Sequence, residues 1–181
     1  MSLARYSSAV RARKPIPIRW LMTDERMGDG IWAALRRLPP GSGVVFRHYA
    51  TPHSERRALL RRVKRVAQAR GLVVVVAGAG MPNADGAHGR ALTKGLRTWP
   101  VHTRAQAVAG RRAGADALFI SPVYATRSHK GVKGIGPARA VRIGTGLRLP
   151  LVAMGGMTER RWRRMRGFHG WAAIDSWLVA P

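Results

Sequence analysis

The feature that most constrains this chain is a regular alternation of short apolar runs with helical segments. Its clearest member is Leu72–Ala77, read Leu-Val-Val-Val-Val-Ala, with no polar position. A strand with one wet face would alternate apolar with polar residues. A run that is apolar throughout predicts a strand covered on both faces, as in a parallel sheet flanked by helices. Weaker or shorter runs at Ile16–Met22, Gly43–Phe46, Ala84–His88, Thr98–His102, Ala115–Ser121, Leu149–Met154 and Trp171–Ile174 bring the total to eight.

Helical spacing fills the gaps. Ile31, Ala34, Leu35 and Leu38 share a face in Gly30–Leu38. A longer helix is predicted to be capped at Thr51 or Ser54, with Pro52 in its first turn and Glu55 near its positive end. Its Leu59, Leu60, Val63, Val66 and Ala67 recur at helical spacing, and Gly71 stops it. Further helices are predicted over Thr103–Ala113, from Pro137 and from Glu159. Strand–helix units in series imply parallel strands with right-handed crossovers. Eight of them predict an α/β fold closed as a (β/α)8 TIM barrel; an open doubly wound sheet, commonly of five or six strands, is the alternative. Such barrels start near roughly 200 residues. At 181 residues this one must be compact, with helices shortened after the third and fourth strands. No shift in composition marks a domain boundary, so residues 15–181 read as a single barrel domain after a basic, flexible arm, 1–14.

Composition excludes other classes. The chain has no cysteine, which removes disulfide scaffolds, Cys-ligated zinc and thiol nucleophiles. Its 46% apolar content is too high for a disordered basic tail. No apolar run approaches the roughly 18 residues of a membrane helix. Residues 1–14 lack a following apolar core of the kind a secretory signal carries, so the expected compartment is the cytoplasm. Lys+Arg number 33 against 8 Asp+Glu, a net charge of +25. The arginines fall on successive helices, as in Arg56, Arg57, Arg61, Arg62 and Arg65, then Arg111 and Arg112, then Arg160, Arg161, Arg163, Arg164 and Arg166. That distribution reads as solvated helix faces, with weak, non-specific nucleic-acid binding at low salt as a by-product.

In a barrel the functional face lies at the C-terminal ends of the strands. Those ends carry Thr23, Asp24 and Glu25, Arg47 and His48, Ala77–Gly80, His88, His102, Ser121–Lys133, Gly155 and Gly156, and Asp175 and Ser176. The set makes a basic, hydroxyl-bearing pocket suited to a small phosphorylated ligand. Gly155-Gly156, before the helix that Thr158 would cap, lets backbone N–H groups approach an oxyanion with no Cβ in the way.

The stretch GADALFISPVYATRSHKGVKGIGP, followed by LPLVAMGGM and GWAAIDSWL, resembles the thiamine phosphate synthase/TenI family. Upstream, WLMTDER, VVFRHY, NADGAHG and WPVHT fall in matching order. The resemblance implies a TIM barrel that joins hydroxymethylpyrimidine diphosphate to a thiazole phosphate and releases pyrophosphate. By position, Arg47 would meet the diphosphate, and Thr126, Ser128, His129 and Lys130 would line the diphosphate and thiazole region. Gly155 and Gly156 would hold the thiazole phosphate. Mg²⁺ is implied on the diphosphate, held by an Asn-Asp pair after strand three and an Asp after strand four. This chain reads Ala77-Gly78-Ala79-Gly80 and Gly89-Arg90-Ala91 there, so the usual ligands are absent. Asp175 stands where a Ser would present its N–H to phosphate, and Ser176 is the candidate to replace it. The TenI branch tautomerises the thiazole phosphate without Mg²⁺, commonly with a His base where this chain has Pro122. His102 or His129 is the substitute base here, with Lys130 adjacent to the latter. The expected function is synthase-like. The alternatives are a TenI-like tautomerase and a non-catalytic barrel that binds a phosphorylated ligand or RNA. A homo-oligomer is compatible with each of them.

Overall fold

A computed structural model describes residues 15–79, 81–126, 131 and 133–178. The arm expected over 1–14 lies outside them. Eight strands close a barrel in chain order, every neighbouring pair parallel: β1 Arg19–Met22, β2 Gly43–Phe46, β3 Val73–Ala77, β4 Gly86–His88, β5 Leu96–Val101, β6 Ala117–Ile120, β7 Leu151–Met154 and β8 Gly170–Ala173. β8 pairs back onto β1, with Trp20 opposite Ala172. The open-sheet alternative is thereby excluded.

Alternation along each strand splits the core into two layers. Trp20, Met22, Val45, Val75, Ala117, Phe119, Val152 and Ala172 fill the barrel interior. Leu21, Val44, Phe46, Val74, Val76, Leu118 and Ile120 face outward, where helices cover them. That second layer is why the third strand reads apolar at every position. Trp20 plugs the interior, meeting Phe119 edge to face with centroids 5.1 Å apart. The plug requires Gly43, because a Cβ there would stand 2.2 Å from the Trp20 ring.

The covering helices are α1 Gly30–Arg37, α2 His53–Ala69, α3 Arg104–Arg112, α4 Pro137–Gly144 and α5 Glu159–Arg163. Thr103 caps α3 in a full capping box with Gln106. Two expectations need correction. The helices after β3 and β4 are not merely shortened: among the described residues no helix joins β3 to β4 or β4 to β5, which is how eight strands fit in this length. Nor does Thr51 or Ser54 cap α2. Pro52 is its N-cap, through its carbonyl, which accepts from the Arg56 N–H at 2.8 Å.

Of the arginines expected on helices, Arg57, Arg61, Arg62, Arg65, Arg111 and Arg112 are exposed, as are Arg160 and Arg163 on α5 and Arg164 and Arg166 beyond its end. Arg56 is the exception and is buried. At the N-terminal ends of the strands, Asp85 accepts from the Val74 N–H and the Lys64 Nζ, and Asp116 accepts from the Arg97 N–H. These two acids therefore seal the end opposite the expected site. No described helix is long and apolar enough to cross a membrane.

Candidate functional site

A cavity of about 590 Å³ opens at the C-terminal ends of the strands. Its lining brings together Arg47, His102, Thr126, Gly155, Gly156 and Ser176, six of the residues expected from the sequence. Ser128, His129 and Lys130 lie outside the described residues.

On the β7–β8 side the wall is the glycine turn. Gly155 and Gly156 have φ of 95° and 58°, in the left-handed region that favours glycine. A Cβ on Gly156 would lie 2.5 Å from the Ala125 carbonyl oxygen. The turn therefore sits flush against the segment after β6, which donates to it from Val123 N–H to Met154 O and from Tyr124 N–H to Gly155 O. Thr158 caps α5 by accepting from the Arg161 N–H. The Arg161 guanidinium donates to the Gly156 carbonyl and lies 4.6 Å above the Tyr124 ring, at the cavity wall. The Ser176 hydroxyl is engaged: it donates to the Met157 carbonyl at 2.6 Å and ties the last two strand-end loops together. Asp175 lines the cavity beside it, at the head of a 3-10 turn, Asp175–Trp177.

His102 follows β5. Its Nδ1 is 2.9 Å from the Ser121 carbonyl oxygen. A carbonyl can only accept, so Nδ1 carries the proton and a neutral ring leaves Nε2 as the basic nitrogen. The His102 backbone N–H is held by the Gln106 side chain at 2.6 Å, within the α3 capping box.

The β1–β2 side is built from interlocked charges. Arg47 donates from Nε to the Thr23 carbonyl at 2.7 Å and from Nη2 to Asp24 Oδ2 at 2.9 Å. Asp24 also takes the Arg26 side chain and its backbone N–H. Chiefly the Arg26 hydrogen bond, with the charge of Arg47 added, holds the Asp24 carboxyl below its usual range. Burial lowers the Arg47 guanidinium from its ordinary value, against the pull of Asp24. Beneath this pair, Arg56 donates to the carbonyls of Arg47 and Ala77, at 2.8 and 2.6 Å from Nη2, and so fixes the ends of β2 and β3.

Two of the strand-end histidines are not in the cavity lining. His48 is buried, its Nδ1 3.0 Å from the Thr23 hydroxyl and its ring stacked on Phe46. His88 is buried inside the barrel, its Nδ1 2.8 Å from the Thr98 hydroxyl and its ring against Phe119. Desolvation pushes the His88 imidazole down to about 3. Both are packing groups, which corrects their placement on the functional face. Among the arginines expected on solvated faces, Arg56 is instead buried, and Arg161, although exposed, reaches the cavity wall. For Arg56 the signal was present: it falls on the stripe of Leu60, Val63 and Ala67.

The fit to Mg²⁺ can be judged on donors, because all eight carboxylates of the chain belong to the described residues. Asp24 is saturated by two arginines, and Glu25 accepts from the Ala50 N–H at 2.7 Å. Asp85 and Asp116 are at the far end of the barrel, and Glu159 binds Arg19, Arg163 and the Trp171 indole. Glu55 lies in the first turn of α2, and Asp29 precedes α1. Only Asp175 lines the cavity, and no group of three potential metal ligands exists among the described residues. These residues do not fit a Mg²⁺ ion held by the carboxylate pattern that the resemblance implies.

The family model described as "Thiamine monophosphate synthase" (TMP-TENI) matches residues 90–176. Among solved structures, the thiamine phosphate pyrophosphorylase from Pyrococcus furiosus superimposes with a TM-score of 0.73 at 18% identity, covering 90% of this chain and 88% of that one. A native KDPGal structure gives 0.57 at 14% identity, over 90% of this chain and 84% of that one. The YdjI aldolase from Escherichia coli K12 gives 0.53 at 12%, over 87% and 75%. At these identities the likeness is one of fold. None of the curated protein sequences matches the chain significantly. The family match runs through β5–β8 and carries the SPVYAT, AMGGM and IDS segments that line the cavity, on a closed eight-stranded barrel. Over residues 90–176, just under half of its length, the chain resembles the thiamine phosphate synthase/TenI family.

Proposed function

We propose that this protein performs thiamine phosphate synthase-like chemistry, joining hydroxymethylpyrimidine diphosphate to a thiazole phosphate. The observation that carries the reading is the one cavity that Arg47, Thr126 and the Gly155-Gly156 turn line from different sides. The thiazole phosphate is assigned to the glycine turn, where no Cβ obstructs approach to the backbone. The pyrimidine diphosphate is assigned to the Arg47 side. In the reaction, the C–O bond between the pyrimidine methylene carbon and the diphosphate breaks, and its electron pair leaves with pyrophosphate. The thiazole nitrogen lone pair then forms the C–N bond, and no proton moves. The chain's part is to hold both partners in line and to place the Arg47 charge against the leaving group. Met22, Met154 and Ile174 supply apolar wall around the reacting centre.

The test is incubation of the protein with both substrates, following pyrophosphate release and thiamine phosphate formation. Product formation that is lost in Gly156→Val supports the reading, and absence of product overturns it. A second reading, thiazole phosphate tautomerisation, is favoured by the basic Nε2 that the Ser121 carbonyl imposes on His102. It predicts tautomerisation in EDTA and its loss in His102→Ala, with no condensation. Phosphate-ligand binding with neither reaction would point to a non-catalytic barrel.

A further inference from the structure

We infer that the β1–β2 side of the cavity takes pyrophosphate, or the diphosphate end of a ligand, as a metal-free anion, with the Arg47 guanidinium as its fixed counter-charge. The inference rests on the proposed phosphate-binding role of the cavity and deepens it.

Three observations carry it. First, the carboxylate census is complete for the whole chain, and the cavity retains Asp175 alone. Mg²⁺ binds through hard oxygen donors, usually one or two carboxylates in addition to substrate phosphates. Second, the carboxylate nearest Arg47 is already consumed. Asp24 Oδ1 accepts from the backbone N–H and Nε of Arg26, and Oδ2 accepts from Nη2 of both Arg26 and Arg47. A divalent ion at Asp24 would have to displace two guanidinium groups and then sit among them. Third, Arg47 is preorganised. Two hydrogen bonds from its guanidinium, to the Thr23 carbonyl and to Asp24, fix its plane, while Arg56 grips the Arg47 carbonyl from below. Arg26, Arg47 and Arg56 match the charges of Asp24, Glu25 and Asp175, the last of which acts on Arg26, so the carboxylates at this end are offset without a metal. A guanidinium held in a fixed plane at a cavity wall is the arrangement proteins use to bind phosphate oxygens directly.

The experiment is calorimetric titration of sodium pyrophosphate into the full-length protein, in EDTA and again in excess Mg²⁺. Binding in EDTA as tight as, or tighter than, binding in Mg²⁺ is expected. Arg47→Gln should weaken it about tenfold or more under both conditions. Because Arg47 also joins β1 to β2, circular dichroism accompanies each variant, and Asp24→Asn provides an independent arm. If the anion is metal-free, affinities measured in EDTA and in Mg²⁺ stay equal to each other in Asp24→Asn, as in the parent, whatever the change in their common value. If Asp24 or Asp175 holds Mg²⁺, Asp24→Asn or Asp175→Asn abolishes a Mg²⁺-dependent gain. A gain of about tenfold or more on adding Mg²⁺ overturns the inference while leaving the phosphate-binding reading intact. No pyrophosphate binding in either buffer overturns both. Metal-free binding without condensation supports the inference and counts only against the synthase reaction.

Discussion

The two halves of the barrel mouth are built on different principles. Around β5–β8 the wall is backbone: a left-handed glycine turn, the segment after β6 packed flush on it, and a histidine oriented by a carbonyl. Around β1–β4 the wall is side-chain charge: Asp24, Arg26, Arg47 and Arg56 locked together over two buried histidines. The family match, residues 90–176, coincides with the first half and misses the second. The difference teaches that one closed barrel can form one side of its mouth from backbone geometry and the other from side-chain charge. Strand pairing holds the frame in both.

The contrast can be broken at several points. The largest effect is expected from acid. The unfolded chain's histidines take up protons as pH falls through about 6.5, whereas folded His88 stays neutral down to about 3. The folded pKa is depressed, so this stability is complete above the unfolded pKa and lost as pH falls through that window. His48, also lowered by burial, acts in the same direction. Urea midpoints should therefore decline from pH 7 to pH 4 by the equivalent of a few kcal/mol, and His88→Gln should flatten the decline. A variant profile parallel to the parent would show that the β1–β4 half does not depend on a buried neutral histidine.

Next comes Gly156→Val in the backbone-built half. Left-handed strain and the contact with the Ala125 carbonyl together predict a loss of about 3 kcal/mol in denaturant unfolding, together with loss of phosphate-ligand binding. A variant of unchanged stability and affinity would mean that the turn does not form the wall.

The matched pair Arg56→Met and Arg161→Met compares the halves directly. Arg56→Met strands two strand-end carbonyls and should cost about 2 kcal/mol. Arg161→Met, at an exposed residue, removes one carbonyl bond and a cation–π contact and should cost about 1 kcal/mol or less. Equal losses in urea titration would erase the distinction. The smallest effect is expected at Arg65→Ala, on the wet face of α2, where a change within about 0.5 kcal/mol would leave the comparison untouched.

Much of this was legible in the residues, for identifiable reasons. The doubly apolar Leu72–Ala77 run announced a strand with a core on each side, and both layers are present. Gly155-Gly156 was legible because left-handed backbone favours glycine. The Asp24–Arg47 lock was not. The two residues are far apart along the chain and meet because Met22 stands opposite Val45, which carries residues 24 and 47 to neighbouring strand ends. His88 was read onto the functional face because it ends a strand, but the register places it opposite Thr98, whose hydroxyl takes its Nδ1 inside the barrel. The missing helices after β3 and β4 were half legible: length demanded economy, yet a helix-free connection leaves no periodic signal to count.

By itself, then, the sequence determined the parallel barrel, the glycine wall and the scarcity of carboxylates, because each depends on residue type at a local spacing. Only the tertiary structure decided that Asp24 is bound to arginines, that Arg56 turns inward, and that His102 rather than His48 or His88 reaches the cavity. Those outcomes depend on which strand ends the closed barrel sets side by side and on whether a charged group has a buried partner within reach. Local spacing does not encode either.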